Sequence, residues 1–157
     1  MPKSAPVPAS LSVARPIAPG QPRVAIIEIG ANGVIGPANP ERIYSFAGGN
    51  AVVAIINSMA EAVEVSIPAK QFVPHPPPED PRPGPTKPVD DYREEVKIAP
   101  GEVGTITFRV KKQEYFVKQS RKENKEYLER ATYKYTVYAK TKRRKLEPLD
   151  PDVEIAT

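Results

Sequence analysis

The residues best placed to do chemistry lie in one basic stretch. Residues 111–145 hold 13 of the 23 Lys and Arg residues against Glu114, Glu123, Glu126 and Glu129, a net +9. Lys111 and Lys112, Lys118, Arg121 and Lys122, and the run Lys142, Arg143, Arg144 and Lys145 could meet phosphates or an acidic protein surface. Tyr115, Phe116, Tyr127 and Tyr138 lie among them and offer rings on which bases could stack. Two plainer readings compete. The cations form a solubilising face whose lysines protect edge strands, or the basic turn meets the acidic end, where residues 146–157 carry a net −4.

Other chemistry is harder to assemble. His75 is the one His, set between Pro74 and Pro76, and a catalytic or metal-bound His needs partners that its neighbours do not supply. Asp90, Asp91, Glu94 and Glu95 lack the spacing that makes carboxylates converge on Ca²⁺. There is no Gly-x-Ser-x-Gly elbow, and Gly30, Gly33 and Gly36 are too sparse to cradle a phosphate. With no Cys there is no thiolate nucleophile, disulfide or Cys-held metal. Arg82, Pro85 and Pro88 match the R-x-x-P-x-x-P form of SH3 ligands, in a segment where an ordinary stiff spacer is the simpler reading. These residues predict no enzyme, no cofactor and no metal site.

The elements that must position these groups follow from the proline distribution and from alternation. Of the 157 residues, 20 are Pro: six in residues 1–22 and eight between Pro74 and Pro88. Residues 1–22 read as a disordered Pro/Ala-rich tail and 74–88 as a mobile Pro-rich loop, leaving 23–157 as the folded domain. Val24–Ile29 alternates with Ala25, Ile27 and Ile29 on one face. Tyr44 and Phe46 suggest a short edge strand, and Ala51–Ile56 a central strand buried on both faces. Val63, Val65 and Ile67 share one face of a strand that Pro68 stops or places at an edge. Glu95–Ile98, a Pro100-Gly101 turn, Val103–Lys111, Thr132–Lys140 and a last strand with Val153 and Ile155 complete the set. The Gly- and Pro-free stretch 112–131 allows two forms. A short helix at 119–130 is supported by Lys122/Glu126, Lys125/Glu129 and Glu126/Arg130 at i,i+4 spacing. The alternative extends the preceding strand through Tyr115–Val117 into a long hairpin. About seven strands with turns between them predict an all-β, antiparallel β-sandwich.

Two stretches resemble a known class. Val96–Gly101 followed by Thr105–Val110 resembles the strand–Pro-Gly–strand element of cupredoxin-like sandwiches. Tyr133–Val137, the basic turn and Leu149–Ile155 resemble the final hairpin of small bacterial proteins of that class. Immunoglobulin-like sandwiches share the pattern, and the choice between the two stays open. The resemblance implies fold only. A blue-copper centre would need a Cys and two His, so a cupredoxin-like chain of this sequence is copper-free. Ligand-free protein titrated with Cu(II) is expected to show no intense absorption near ~600 nm, the mark of a Cu–thiolate bond.

The sequence thus predicts a non-enzymatic β-sandwich that binds another protein. Its alternative is a nucleic-acid-binding accessory protein using 111–145. No stretch approaches the ~20 apolar residues of a membrane span, and the N-terminus has no apolar h-region. The expected location is cytoplasmic.

Overall fold

The computed structural model describes residues 21–157, so the tail expected at 1–22 lies almost wholly outside the described residues. From Gln21 onward, alternation decides the strands. In β1 (Val24–Ile29), Ala25, Ile27 and Ile29 are fully buried while Val24, Ile26 and Glu28 face out. β2 (Arg42–Phe46) follows and does lie at a sheet edge. β3 (Asn50–Asn57) is central between β1 and β7 (Val103–Arg109). Only one of its faces is fully buried, however. Ala51, Val53, Ile55 and Asn57 point into the core, and Val52, Ala54 and Ile56 are half-buried on the other side. The continuous apolar run does not mark two buried faces here, because nothing among the described residues covers the second.

β4 (Val63–Ser66) buries Val63 and Val65, and Pro68 ends it in a short 3₁₀ turn at Ala69–Gln71. β5 (Val73–Pro74), β6 (Glu95–Ile98), helix α1 (Gln113–Lys122), β8 (Arg130–Lys134), β9 (Tyr138–Lys140) and β10 (Asp152–Ala156) complete the chain. Between β6 and β7, Gly101 takes φ 77° and the Glu102 N–H donates to Ala99 O at 3.1 Å, as a Pro-Gly turn demands.

Two layers result. One is β1-β3-β7. The other layer is made of two sheets, β2-β10-β8-β5 and β6-β4-β9, which the chain links from β8 to β9 and, through the 3₁₀ turn, from β4 to β5. β10 pairs with β2 and β8, β5 with β8, and β4 with β9 and β6. Bridges Val137–Leu149 and Lys140–Lys145 continue the β10 side of this layer along β9. The chain is a β-sandwich, as alternation predicted. Its pairing is mixed, because β1 and β3, and β2 and β10, run parallel. Each parallel pair is joined by a path through other strands rather than a tight turn, and side-chain periodicity carries no information about such paths.

The 132–140 run needs similar adjustment. Tyr133, Tyr135, Val137 and Ala139 all face the core, but the run divides into β8 and β9, each with different partners. The layer bends at 135–137, so one alternating sequence serves two pieces of sheet.

Neither form expected for 112–131 is what the chain adopts. α1 begins at Gln113 and ends at Lys122, so Tyr115–Val117 is helical and 123–129 is not. Phe116 and Ser120, four apart, face the core. Glu114 in the first turn and Arg121 and Lys122 in the last complement the helix dipole. Asn124 stops the helix: it takes φ 57°, donating to Arg121 O while the Lys125 N–H reaches Ser120 O. That bond pair is a left-handed C-terminal closure, which Asn tolerates. The i,i+4 charge pairs beyond it never share a helix.

An aromatic cluster joins the layers. Phe108 of β7 lies 5.0 Å from Phe72, 5.7 Å from Tyr135 and 6.0 Å from Tyr92, centroid to centroid. Two fully buried tyrosines differ in one respect. The Tyr133 hydroxyl donates to Pro85 O at 2.7 Å, whereas the Tyr135 hydroxyl has no partner among the described residues. Burial pushes the ionisation of both far up, so each stays a neutral phenol. Tyr133→Phe should cost about 1–2 kcal/mol, and Tyr135→Phe should be neutral or stabilising, read from denaturant midpoints. Equal losses in the two variants would contradict this assignment.

Candidate interaction surfaces

All seven predicted contact residues, Lys118, Arg121, Lys122, Lys142, Arg143, Arg144 and Lys145, are exposed. The fold does not bring them together. α1 follows the end of β7 that pairs with Asn50, where β3 starts. The 142–145 turn instead touches loops beyond the end of β3. Arg143 lies 3.4 Å from Glu61, and Arg144 donates to Asn32 O at 2.9 Å. The length of β3 alone, roughly 23 Å, lies between the two groups. The +9 is contiguous in sequence and divided in space.

The stacking surfaces are lost as well. Phe116 is buried, the Tyr115 hydroxyl donates to Thr86 O, and the Tyr127 hydroxyl donates to Thr157 O. Of the four rings only Tyr138 is exposed. The acidic end does not neutralise the turn either. Asp152 pairs with Arg42 at 3.6 Å and Lys134 at 3.2 Å, and Glu154 with Arg130 at 3.0 Å. His75 Nδ1 lies 3.5 Å from Asp152, a neighbour that no local sequence feature announced. These pairs run across β2, β10 and β8 and give that layer a charged outer face. Among the described residues, no group of three or more His, Cys, Asp or Glu residues could hold a metal ion.

The Pro-rich segment is docked rather than mobile. The His75 N–H donates to Thr132 O, and Gly84, Pro85 and Pro88 are buried. A Cβ at Gly84 would come within 2.6 Å of the Tyr133 hydroxyl and 2.7 Å of Ala131 Cβ, so only glycine lets the strap lie this close to β8. Arg82 pairs with Asp80 and Glu126. With Arg82 ion-paired and Pro85 and Pro88 buried, the R-x-x-P-x-x-P match is not presented to an SH3-type groove.

A clasp on Glu123 holds this strap. Its carboxylate accepts from the Thr86 N–H and hydroxyl, Gln119 and Lys125. Partial burial pushes the Glu123 carboxyl up, but the hydrogen bonds from Gln119, Thr86 and Lys125 outweigh it and hold the group at about 2. The folded value lies below the unfolded one, so the clasp is complete above the ordinary carboxylate range and is lost as pH falls toward 2. Protection of the Thr86 amide from exchange should therefore drop between about pH 4.5 and 2. In Glu123→Gln that pH dependence should vanish, with Thr86 poorly protected throughout. A pH-independent Thr86 amide in the wild type would show that the clasp does not hold the strap.

Against the charged face stands an aliphatic one. Pairing registers set Val24–Val52–Thr107, Ile26–Ala54–Thr105 and Glu28–Ile56–Val103 as three rows on the outer surface of β1-β3-β7. Ile26 is 49% exposed, Val103 60% and the adjoining Val34 58%. A cleft of about 380 Å³ runs between this face and the 34–39 segment, lined by Ile26, Val34, Pro37 and Ile56 among others. The sequence held the signal: in Val24–Ile29 the face opposite the core also carries Val24 and Ile26. No helix among the described residues is long and apolar enough to cross a membrane.

No protein-family model and no curated protein matches the chain. Solved structures to which it is similar include the CsuC–CsuE chaperone–tip adhesion subunit pre-assembly complex of Acinetobacter baumannii. That match has 12% identity and a TM-score of 0.49 and covers 74% of this chain and 54% of that one. The PapD-like domain 7 of human CEP192 matches at 10% identity and TM-score 0.46, covering 92% and 94%. The McoA multicopper oxidase of Aquifex aeolicus matches at 15% and 0.39, covering 94% and 32%. The chain thus spans about half of the first and a third of the third. Immunoglobulin-like and cupredoxin-like sandwiches both stand among its structural neighbours, at low identity.

Proposed function

We propose that this chain is a non-enzymatic, copper-free β-sandwich that binds another protein through the outer face of its β1-β3-β7 layer. The observation that carries the reading is the set of three registered rows in which Val24, Ile26 and Val103 are exposed and Val52, Ala54 and Ile56 half-buried. Aliphatic side chains set side by side on an outer sheet face make it a candidate contact surface. The opposite layer pairs its charges instead, so the asymmetry belongs to the fold and not to composition.

The nucleic-acid reading has less support. Its cations are divided between two ends, Arg143 and Arg144 have protein partners, and three of the four candidate rings are engaged or buried. Affinity capture from the source cells with wild type, Ile26→Asp and a Lys142→Glu, Arg143→Glu, Arg144→Glu variant separates the two. Partners held by the wild type should be lost with Ile26→Asp and kept with the triple variant. Heparin retention should fall in the triple variant with only a shallow salt slope. Capture unaffected by Ile26→Asp but abolished in the triple variant would overturn the assignment.

A further inference from the structure

The sheet edges are not equally protected. Along β1, Ile26 exchanges bonds with Asn39, and the Gly36 N–H donates to Glu28 O. At β2 the Tyr44 N–H donates to Pro22 O. β5 has two residues and ends in Pro74, β6 carries Glu95 and Lys97, and β9 is covered by the 145–149 segment. Each is a recognised way of blocking an edge.

β7 is the exception. Bonds from Val110 N–H to Gly49 O and from Asn57 N–H to Glu102 O fix the alternation of its backbone. Gly104, Ile106 and Phe108 therefore turn their N–H and C=O groups toward β3, and Thr105 and Thr107 turn theirs outward. The Asp90 N–H takes Arg109 O and closes the upper end. Below it, Val103–Thr107 pairs with no strand except β3 among the described residues. The stretch is exposed and β-branched at Val103, Thr105 and Thr107, with no Lys, Pro or bulge upon it.

We propose that Val103–Thr107 receives an extended segment of the partner protein as a fourth strand of the β1-β3-β7 layer. This rests on the protein-binding reading above. Area selects a strand over a flat contact. Three strands about 4.8 Å apart and about 18 Å long give roughly 250 Å², far short of the ~800 Å² per partner that a stable face-to-face dimer buries. Edge pairing adds hydrogen bonds that the face alone lacks. The segment's outward side chains continue the rows of Val103, Thr105 and Thr107, so alternate positions are aliphatic or β-branched. Arg109 on the outer face and Glu102 at the turn have no ion-pair partner among the described residues. The segment therefore carries an acidic residue at the Arg109 end and a basic one at the Glu102 end.

The probe is a phage-displayed library of random heptapeptides selected on the full chain. Enriched peptides should alternate β-branched or aliphatic residues with others and carry opposite charges near their ends. Binding should slow amide exchange at Thr105 and Thr107. Thr107→Pro removes a donor that points away from β3, and should weaken binding at least tenfold. Thr105→Lys, which keeps the ladder intact, should do the same if the proline variant does not fold. No enrichment, or enriched peptides indifferent to both variants, would overturn the proposal. So would a wild-type dimer in sedimentation that either variant dissolves, since the occupant would then be a second copy. If Ile26→Asp abolishes partner capture while the β7 variants do not, the strand falls and the face reading survives. If neither matters, both fall.

Discussion

Phe108→Ala is expected to lower the unfolding free energy by about 4 kcal/mol, enough to leave little folded chain at 37 °C if total stability is near the low end for domains. Phe108 is fully buried, and it is the ring that Phe72, Tyr92 and Tyr135 all contact. Phe72 comes from the segment between β4 and β5, Tyr92 from the chain entering β6, and Tyr135 from the bend between β8 and β9. Removing the ring opens a cavity bounded by both layers, and neither layer can close it alone without breaking its own ladder. Phe108→Leu, which keeps most of the volume, should lose less than half as much. Equilibrium urea unfolding measures both. A loss under ~1.5 kcal/mol for the alanine variant would mean that the site collapses freely and the cluster is not the joint between layers.

The second large effect is expected at Asn57, which is fully buried at the end of β3. Its Nδ2 donates to Glu61 O at 2.9 Å and to Ile98 O at 3.0 Å, and its Oδ1 accepts from Met59 N–H at 2.9 Å. Its backbone bonds Glu102 O and Gly101 N–H. One side chain therefore holds the 58–62 turn and ties β3 to β6 in the other layer. Asn57→Ala leaves the buried Met59 N–H without its acceptor, and takes one bond from Ile98 O, which keeps its ladder partner Val63, and one from the half-buried Glu61 O, so it should cost about 2–3 kcal/mol. The neighbouring Ser58 hydroxyl bonds an exposed Glu28, and Ser58→Ala should cost under ~0.5 kcal/mol. Comparable losses at the two positions would show that the Asn57 network relaxes or admits water.

Both effects bear on the proposed binding layer. Phe108 and Asn57 lie on the inner side of the same strands whose outer side carries the aliphatic rows. Loosening them should disturb partner binding only through folding, whereas Ile26→Asp and Thr107→Pro act on surfaces that no described residue covers. Measuring stability and binding on the same four variants separates the two routes.

Several features were legible in the residues. The core-facing set Ala25, Ile27, Ile29, Val63, Val65, Ile106, Phe108, Tyr133 and Val137 follows from period-two alternation, because a pleated strand must send successive side chains to opposite faces. The Pro100-Gly101 turn follows because Gly takes a positive φ freely. The absence of a blue-copper ligand set follows from composition alone. The end of α1 was within reach too, since Asn124 is a residue that tolerates the left-handed closure. The charge pairs at 122–130 outweighed it in the sequence, although each such pair contributes only a few tenths of a kcal/mol.

Only the tertiary structure decided the rest. Alternation along one strand cannot say which strand lies beside it or in which direction, so the parallel pairs β1–β3 and β2–β10 had no sequence signature. The basic block reads as one site because its cations are adjacent in sequence, which does not make them adjacent in space. A chain that crosses the sandwich along β8 and β9 instead carries its cations to opposite ends. The Pro-rich segment looked mobile because it buries little apolar surface of its own. It is fixed by groups remote in sequence, among them Glu123, Tyr115 and Tyr133. The sequence set which side chains seek the core. Which aliphatic face and which strand edge stay open depended on how many strands each layer recruited, a property of the assembled sheets and of no single segment.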